Sequence, residues 1–360
     1  MSPAAPAPVL RRRVAVLGAT GAVGQAFIRL LANHPWFELV EVAASERSAG
    51  KSYAEATRWI GGDPMPASVR GMTVKPCDPE QVRAEIVFSA LDSAAAQDAE
   101  PAFARAGKVV LTNAKNYRMD PDVPLVIAEV NPSHLDVLDA QRRNRKWSGA
   151  IVANGNCASI VAALPLAPIH QRFGIANVFA VTMQAVSGAG YPGVPSLDIL
   201  GNVIPFINDE ESKIETEIQK FLGTVDGDTI RSAAFGVSAH ANRVAVEHGH
   251  TVCLSIALET PADARDVERA IADWCGAESA RGLPSAPDRA VVVSGEPDHP
   301  QPRRHAGTGN GMTVVVGRVR SDPILDVKLV AMGHNIVRGA AGASVLNAEL
   351  MVHRGALAES

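Results

Sequence analysis

Val14-Ala15-Val16-Leu17-Gly18-Ala19-Thr20-Gly21-Ala22-Val23-Gly24 is a short hydrophobic run that breaks into three evenly spaced glycines, and a helical pattern follows from Gln25 to Asn33. Strand, glycine turn and helix in this order form the setting in which a dinucleotide is bound. The spacing is G-x-x-G-x-x-G, a variant of G-x-G-x-x-G, and each glycine keeps a physical task. Gly18 makes the turn, Gly21 lets backbone approach a pyrophosphate, and Gly24 lets the helix pack closely on the strand. Gly18, Thr20, Gly21, Ala22, Val23 and Gly24 are therefore expected to hold the cofactor.

A second strand, Glu38 to Ala44, ends about 20 residues past the glycines, where NAD-preferring sites place an acid on the ribose. Here the chain reads Ser45-Glu46-Arg47-Ser48-Ala49-Gly50-Lys51. Ser45, Arg47, Ser48 and Lys51 offer hydroxyls and cations suited to a 2′-phosphate, which favours NADP; a solvated polar loop is the alternative. A strand over Glu85 to Ser89, a helix over Ala94 to Ala106 and a strand over Lys108 to Thr112 continue the alternation. Such a pattern predicts a Rossmann-like, doubly wound parallel sheet. Arg118 falls in the polar loop after the last of these strands, so it is a candidate anion ligand or simply a solvated arginine.

The pattern changes at Ile151. Strands expected over Val178 to Val186, Thr251 to Leu258, Gly311 to Arg320 and Ile324 to Val330 imply an antiparallel or mixed sheet with one covered face. The reading is an α/β chain with an NADP-binding domain over residues 1–150 and an α+β catalytic and dimerisation domain over 151–334. A small-residue helix within 335–360 packs back on the first domain. Gly282 to Gly309, rich in proline, reads as the least structured internal segment, and Met1 to Leu10 as a short arm without a signal-like apolar core.

The chain has 360 residues, 47% of them hydrophobic, and a formal net charge of −4, so it carries no basic stripe for nucleic acid and no polybasic anchor for a membrane. No stretch approaches the length of apolar sequence that spans a bilayer. Cys77, Cys157, Cys253 and Cys275 are scattered without a C-x-x-C pair. That spacing indicates neither a metal site nor a disulfide framework and fits a reducing cytoplasm.

Gly149-Ala150-Ile151-Val152-Ala153-Asn154-Gly155-Asn156-Cys157-Ala158-Ser159-Ile160 reads as strand, tight turn and helix start. The pattern aims the Cys157 sulfur at a helix N-terminus, where backbone N–H groups and the dipole lower a thiol pKa and leave some thiolate at neutral pH. The alternative is a small buried hydrophobe, the usual state of a free cysteine.

Together with Tyr117-Arg118-Met119-Asp120, Gln184 to Gly193, Glu210-Glu211-Ser212-Lys213, Arg243 to His250 and His334-Asn335, these motifs resemble the aspartate-β-semialdehyde dehydrogenase family, in its archaeal and fungal-like branch, over nearly the whole chain. The resemblance implies that Cys157 is the nucleophile that carries the substrate as a thioester. It makes His250 the general acid/base and Gln184 the residue that orients the acyl group. Arg243 matches the clamp on the substrate α-carboxylate, Arg118 and Lys213 match phosphate ligands, and Glu210 stands beside them. Ser187, Gly188 and Asn335 fall where the family contacts the nicotinamide half of NADP.

The chemistry needs these types in any case: a soft nucleophile for an acyl phosphate, cations for the leaving phosphate, and a proton donor at the sulfur. His250, with a pKa near neutrality, is expected to deprotonate Cys157 and return the proton, a role His248 is not expected to share. The implied reaction is NADPH-dependent conversion of L-aspartyl-β-phosphate to the semialdehyde with release of phosphate, in cytoplasmic biosynthesis of lysine, threonine, methionine and isoleucine, by a homodimer or homotetramer. Gly155 stands where the family usually has proline, Ala158 where it has a hydroxyl residue, and Ala245 where proline is common. These departures keep open an acyl-coenzyme A reductase of the malonyl-coenzyme A type or an N-acetyl-glutamyl-phosphate reductase. Outside enzymes the alternative is a silent NADP-binding redox sensor.

Overall fold

Six parallel strands carry the alternation read from the first half of the chain: β1 (Arg12–Leu17), β2 (Phe37–Ala44), β3 (Lys75–Pro76), β4 (Ile86–Ser89), β5 (Val109–Thr112) and β6 (Ala150–Ala153). Their spatial order in the computed structural model, which describes residues 11–357, is β3-β2-β1-β4-β5-β6. The N-terminal arm lies outside the described residues. Helices cover both faces, so Val14 to Leu17 and Ala150 to Ala153 run apolar without alternation and are all buried. The strand order reverses between β1 and β4, and open α/β sheets bind ligands outside the carboxyl ends of the strands at that reversal.

The helix expected from Gln25 starts earlier, at Ala22, and runs over Ala22–Leu31. Gly21 already takes the extended cap conformation (φ −78°, ψ 168°), so Ala22, Val23 and Gly24 form its first turn. Gly18 sits at φ +69°, and a Cβ there would lie 2.5 Å from the Ala90 carbonyl oxygen, so only glycine fits the turn.

The second half contains β7 (Ile175–Gln184), a small hairpin of β8 (Thr224–Asp226) and β9 (Thr229–Arg231), then β10 (Gly236–Arg243), β11 (His250–Leu258), β12 (Val291–Ser294), β13 (Val314–Ser321) and β14 (Val327–Gly333). Apart from the hairpin these strands form a mixed sheet in the order β10-β7-β11-β14-β13-β12. The first and last pairs are parallel and the inner ones antiparallel. Two expectations are corrected here. The segment Gly282 to Gly309 holds β12 and a short helix, Pro302–His305, because Val291-Val292-Val293 finds an edge position beside β13 despite the surrounding prolines. The strand expected from Gly311 starts only at Val314, since Asn310 at φ 56° and Gly311 at φ 82° still belong to a turn.

Helix Cys157–Phe173 leaves β6 and packs on the second sheet, against β7, β11, β13 and β14. Every residue from Ala158 to Ile169 is buried, the signature of a helix enclosed on all sides. Val161 and Leu164 share one apolar cluster with Leu17 and Val110 of the first sheet and with Leu254 and Val316 of the second. Helix Gly342–His353 packs against the first sheet, where Val345 and Leu346 join Val14 and Phe27. The opposite face of the second sheet is open: Phe179 is 54% and Val181 40% exposed. Among the described residues no helix is long and apolar enough to cross a membrane.

Candidate active site

Cys157 is the first residue of its helix, and Asn156 is the cap. The Asn156 Oδ1 accepts hydrogen bonds from the Ala158 and Ser159 backbone N–H groups at 2.9 and 3.1 Å. Gly155, which precedes the cap, has no room for a side chain: a Cβ would collide with the Phe221 ring and lie 3.0 Å from Glu217 Oε2. A proline, the residue usual in the family, would strike the Phe221 ring here. Ala158 is fully buried, so its missing hydroxyl leaves no hole at the cleft surface.

The Cys157 Sγ lies 3.0 Å from His250 Nε2, and the Ala185 backbone N–H donates to His250 Nδ1 at 3.0 Å. An accepting Nδ1 places the neutral ring's own proton on Nε2, facing the sulfur. His250 opens β11 and is fully buried. Burial first, then the Arg243 and His334 charges, push its pKa down to about 3. The Cys157 thiol is pushed up to about 12, by burial first and then by the Glu210 carboxylate, against the pull of Arg118, Arg243 and the Ala158 N–H. Both electrostatic expectations are therefore corrected: desolvation outweighs the helix N-terminus, and the resting pair is a neutral thiol beside a neutral imidazole.

His248 is turned away from the sulfur. The strand begins only at His250, and Gly249 at φ 102° swings His248 into the preceding turn. There its Nδ1 lies 2.9 Å from Ser187 Oγ and its ring stacks on His334. Asn335 Nδ2 donates to the same Ser187 Oγ at 2.9 Å, and the Gly249 N–H donates to Asn335 Oδ1.

Gln184 ends β7 and Arg243 ends β10, and the two are register partners. Both are buried; Arg243 Nη1 donates to the Ala185 carbonyl at 2.8 Å and Gln184 Nε2 to Thr182 Oγ1 at 3.3 Å. Gly188 lies over them, where a Cβ would come 3.0 Å from both Arg243 Nη1 and His250 Cε1. On the other side a turn of π-helix, Val337–Ala341, carries Gly339 against Cys157 so closely that a Cβ would overlap the cysteine's own.

Arg118 is buried, not solvated. Its Nη1 donates to Glu217 Oε1 at 2.8 Å and its Nη2 to the Asn113 carbonyl at 2.7 Å, while Nε has no acceptor among the described residues. Glu210 accepts from Asn156 Nδ2 at 2.7 Å through Oε1 and from Lys213 Nζ at 3.3 Å through Oε2. Two residues of the same helix, Glu210–Phe221, escaped the sequence reading. Glu217 joins Arg118 to the Asn156 backbone, and Lys220 Nζ donates to the carbonyls of Arg118, Asp120 and Val123 at 2.7, 2.7 and 2.9 Å. The signal that could have found them is their spacing of seven and ten residues from Glu210, which lays all three on one face.

A cleft of about 1220 Å³ runs from the β1 turn to the sulfur. Gly18, Thr20, Gly21, Ala22 and Val23 line one end, with Ser45 and Arg47 beside them. Arg118, Cys157, Ser187, Gly188 and Asn335 line the other. Gly24 lies behind the wall, where a Cβ would strike the Gly18 carbonyl. Ser48 and Lys51 do not line the cleft: the Ser48 N–H bonds back to the Ser45 carbonyl, and the Lys51 carbonyl accepts from the Val74 N–H. Gln184, Glu210, Lys213, Arg243 and His250 are not among the residues that line this cleft. A dinucleotide fits the glycine end, because helix Ala22–Leu31 starts without a side-chain cap and leaves its first N–H groups for a phosphate.

Residues 13–138 match the family described as semialdehyde dehydrogenase, NAD binding domain, and residues 166–338 match semialdehyde dehydrogenase, dimerisation domain. The chain is 49% identical over 345 residues to an aspartate-semialdehyde dehydrogenase of Archaeoglobus fulgidus, with 95% of this chain and 98% of the relative covered. It is 46% identical over 353 residues to that of Schizosaccharomyces pombe, covering 96% and 99%. Among solved structures, the aspartate semialdehyde dehydrogenase with NADP from Candida albicans superposes with a TM-score of 0.89 at 40% identity, covering 96% of this chain and 99% of that one. Aspartate semialdehyde dehydrogenase II from Vibrio cholerae gives 0.75 at 28% identity, covering 96% and 99%. With a glycine turn at one end of a single cleft, a cysteine–histidine pair at the other and these relatives along its whole length, the chain belongs to the aspartate-semialdehyde dehydrogenase family, in its archaeal and fungal branch.

Proposed function

We propose that this oxidoreductase reduces L-aspartyl-β-phosphate to L-aspartate-β-semialdehyde with NADPH, releasing phosphate, through a thioester on Cys157. The observation that carries the reading is the Cys157 sulfur at a helix N-terminus, 3.0 Å from His250, inside the cleft that the glycine turn opens. NADP is favoured over NAD because Ser45 and Arg47 line the ribose end of that cleft, and the Candida albicans relative was solved with NADP. A domain boundary near residue 150, with 335–360 completing the first domain, and pairing of two copies through the second sheet complete the proposal.

Arg243 holds the substrate α-carboxylate, Gln184 orients the acyl group, and Arg118 and Lys213 receive the phosphate. Attack by the neutral thiol forms the C–S bond, breaks the C–O bond of the acyl phosphate and sends the thiol proton out with the phosphate. His250 then works as a donor: its Nε2 proton faces the sulfur and steadies it when it leaves as thiolate, and one proton taken up from water restores the resting thiol. Bound NADPH supplies the hydride that reduces the thioester. Ser187, Gly188 and Asn335 hold the nicotinamide end.

The test is the oxidative assay with semialdehyde, NADP and phosphate. Cys157→Ser abolishes turnover while NADP still binds, because a hydroxyl is a far poorer nucleophile and lies away from the glycine turn. Lys213→Ala raises the KM for phosphate by about tenfold or more and leaves that for semialdehyde nearly unchanged. Unchanged phosphate dependence together with turnover of an acyl-coenzyme A would replace this reading with a thioester reductase.

A further inference from the structure

Helix Glu210–Phe221 presents one face to the reacting centre, and the carboxylate at its middle contacts neither the cleft nor water: Glu217 is 2% exposed. Its two oxygens have separate tasks. Oε1 accepts from Arg118 Nη1 at 2.8 Å, and Oε2 accepts from the Asn156 backbone N–H at 2.5 Å. Asn156 is the cap of the helix that begins at Cys157, so one carboxylate spans from the guanidinium to the peptide that precedes the sulfur-bearing residue. Gly155 makes this approach possible, since a Cβ there would press on Glu217 Oε2. Three residues further on, Lys220 grips the Arg118 carbonyl and two more of its loop.

From this geometry we infer that Glu217 is a positioning residue that locks the phosphate-binding guanidinium of Arg118 to the turn carrying Cys157, so that anion site and nucleophile keep one fixed separation. The inference rests on the proposed roles of Arg118 and Cys157. A buried carboxylate with both oxygens engaged by donors fixes those donors in direction as well as distance. The separation matters because the sulfur must reach the carbonyl carbon while the phosphate oxygens are still held, and small misplacements of reacting groups are costly in rate. Lys220 holds the main chain of the same arginine, and its side chain is set by Glu217 on Nη1 and the Asn113 carbonyl on Nη2, of which only Glu217 also holds the cysteine's turn.

Glu217→Gln tests this, because an amide offers one oxygen and one NH₂ to two N–H donors and must oppose one of them. In the oxidative assay the variant is expected to show a KM for phosphate raised by about tenfold and a lowered kcat, with the KM for NADP within about twofold of the parent. In an Arg118→Ala background the same substitution should add less than about twofold to the phosphate KM, since its partner is gone. If the glutamine variant does not fold, Glu217→Asp, which keeps the charge on a shorter arm, is measured against the same criteria. A phosphate KM within about twofold of the parent, or an equal rise for phosphate, semialdehyde and NADP as general loosening would give, overturns the inference. Retained turnover in Cys157→Ser would instead bring down the underlying reading, so the two failures are distinguishable.

Discussion

The sulfur at residue 157 is the point at which local pattern and environment disagree most. A cysteine after Asn-Gly-Asn at a helix start reads as activated, and the helix and its cap are there. Its acidity was not legible, because it depends on what encloses the sulfur: the Gly339 backbone on one side, His250 on another and the Glu210 charge nearby. With the thiol pushed up to about 12, the resting thiolate fraction keeps rising through the whole range below that value. Alkylation of Cys157 by iodoacetamide in the ligand-free enzyme should climb about tenfold per pH unit from neutrality to pH ~10 and show no plateau near the ~8.5 of an ordinary thiol. His250 adds no inflection to that profile, since with its pKa near 3 it stays neutral throughout. A plateau at or below pH ~8 would mean that the resting sulfur is activated after all.

At the scale of the element, the turn before the cysteine and helix Glu210–Phe221 are fitted to each other. Gly155→Ala places a methyl group in the Phe221 ring, and overpacking of this kind costs about 1–3 kcal/mol. Chemical denaturation should show that loss, and Gly155→Ala combined with Phe221→Leu should recover most of it, as contacting residues couple. An undiminished midpoint in the single variant would show that the ring simply moves aside. The pairing also explains what reading the chain in order reached and what it missed. Strands β1, β2, β4 and β5 were visible because sheet and helix periods alternate there, and the glycine turn was visible because its spacing has a local meaning. Glu217 and Lys220 were not, because Glu-Thr-Glu-Ile-Gln-Lys reads as a solvated helical face, and their partners Asn156, Arg118 and Val123 lie 61 to 102 residues away. Strand β10 was hidden for a related reason: Ser238, His240 and Asn242 alternate with small residues and become strand only beside β7.

For the molecule as a whole, the second sheet buries one face on helices Cys157–Phe173 and Ala264–Asp273 and leaves Phe179 and Val181 exposed on the other. An apolar face on a sheet that matches a dimerisation domain is where a second copy is expected to sit. Phe179→Glu should shift the mass measured by analytical ultracentrifugation toward the single chain, because a desolvated, unpaired charge on each subunit opposes association. An unaltered sedimentation profile would place the interface elsewhere. The enclosed helix that starts at Cys157 has a consequence for how such a molecule is altered by recombination. The helix belongs to an apolar cluster that is continuous through both sheets and holds Val161 and Leu164 together with Leu17 and Leu254. A chimera joined near residue 150 from two relatives would therefore mismatch along the helix even if each half were intact, whereas an exchange confined to the hairpin of β8 and β9 would leave the shared seam untouched.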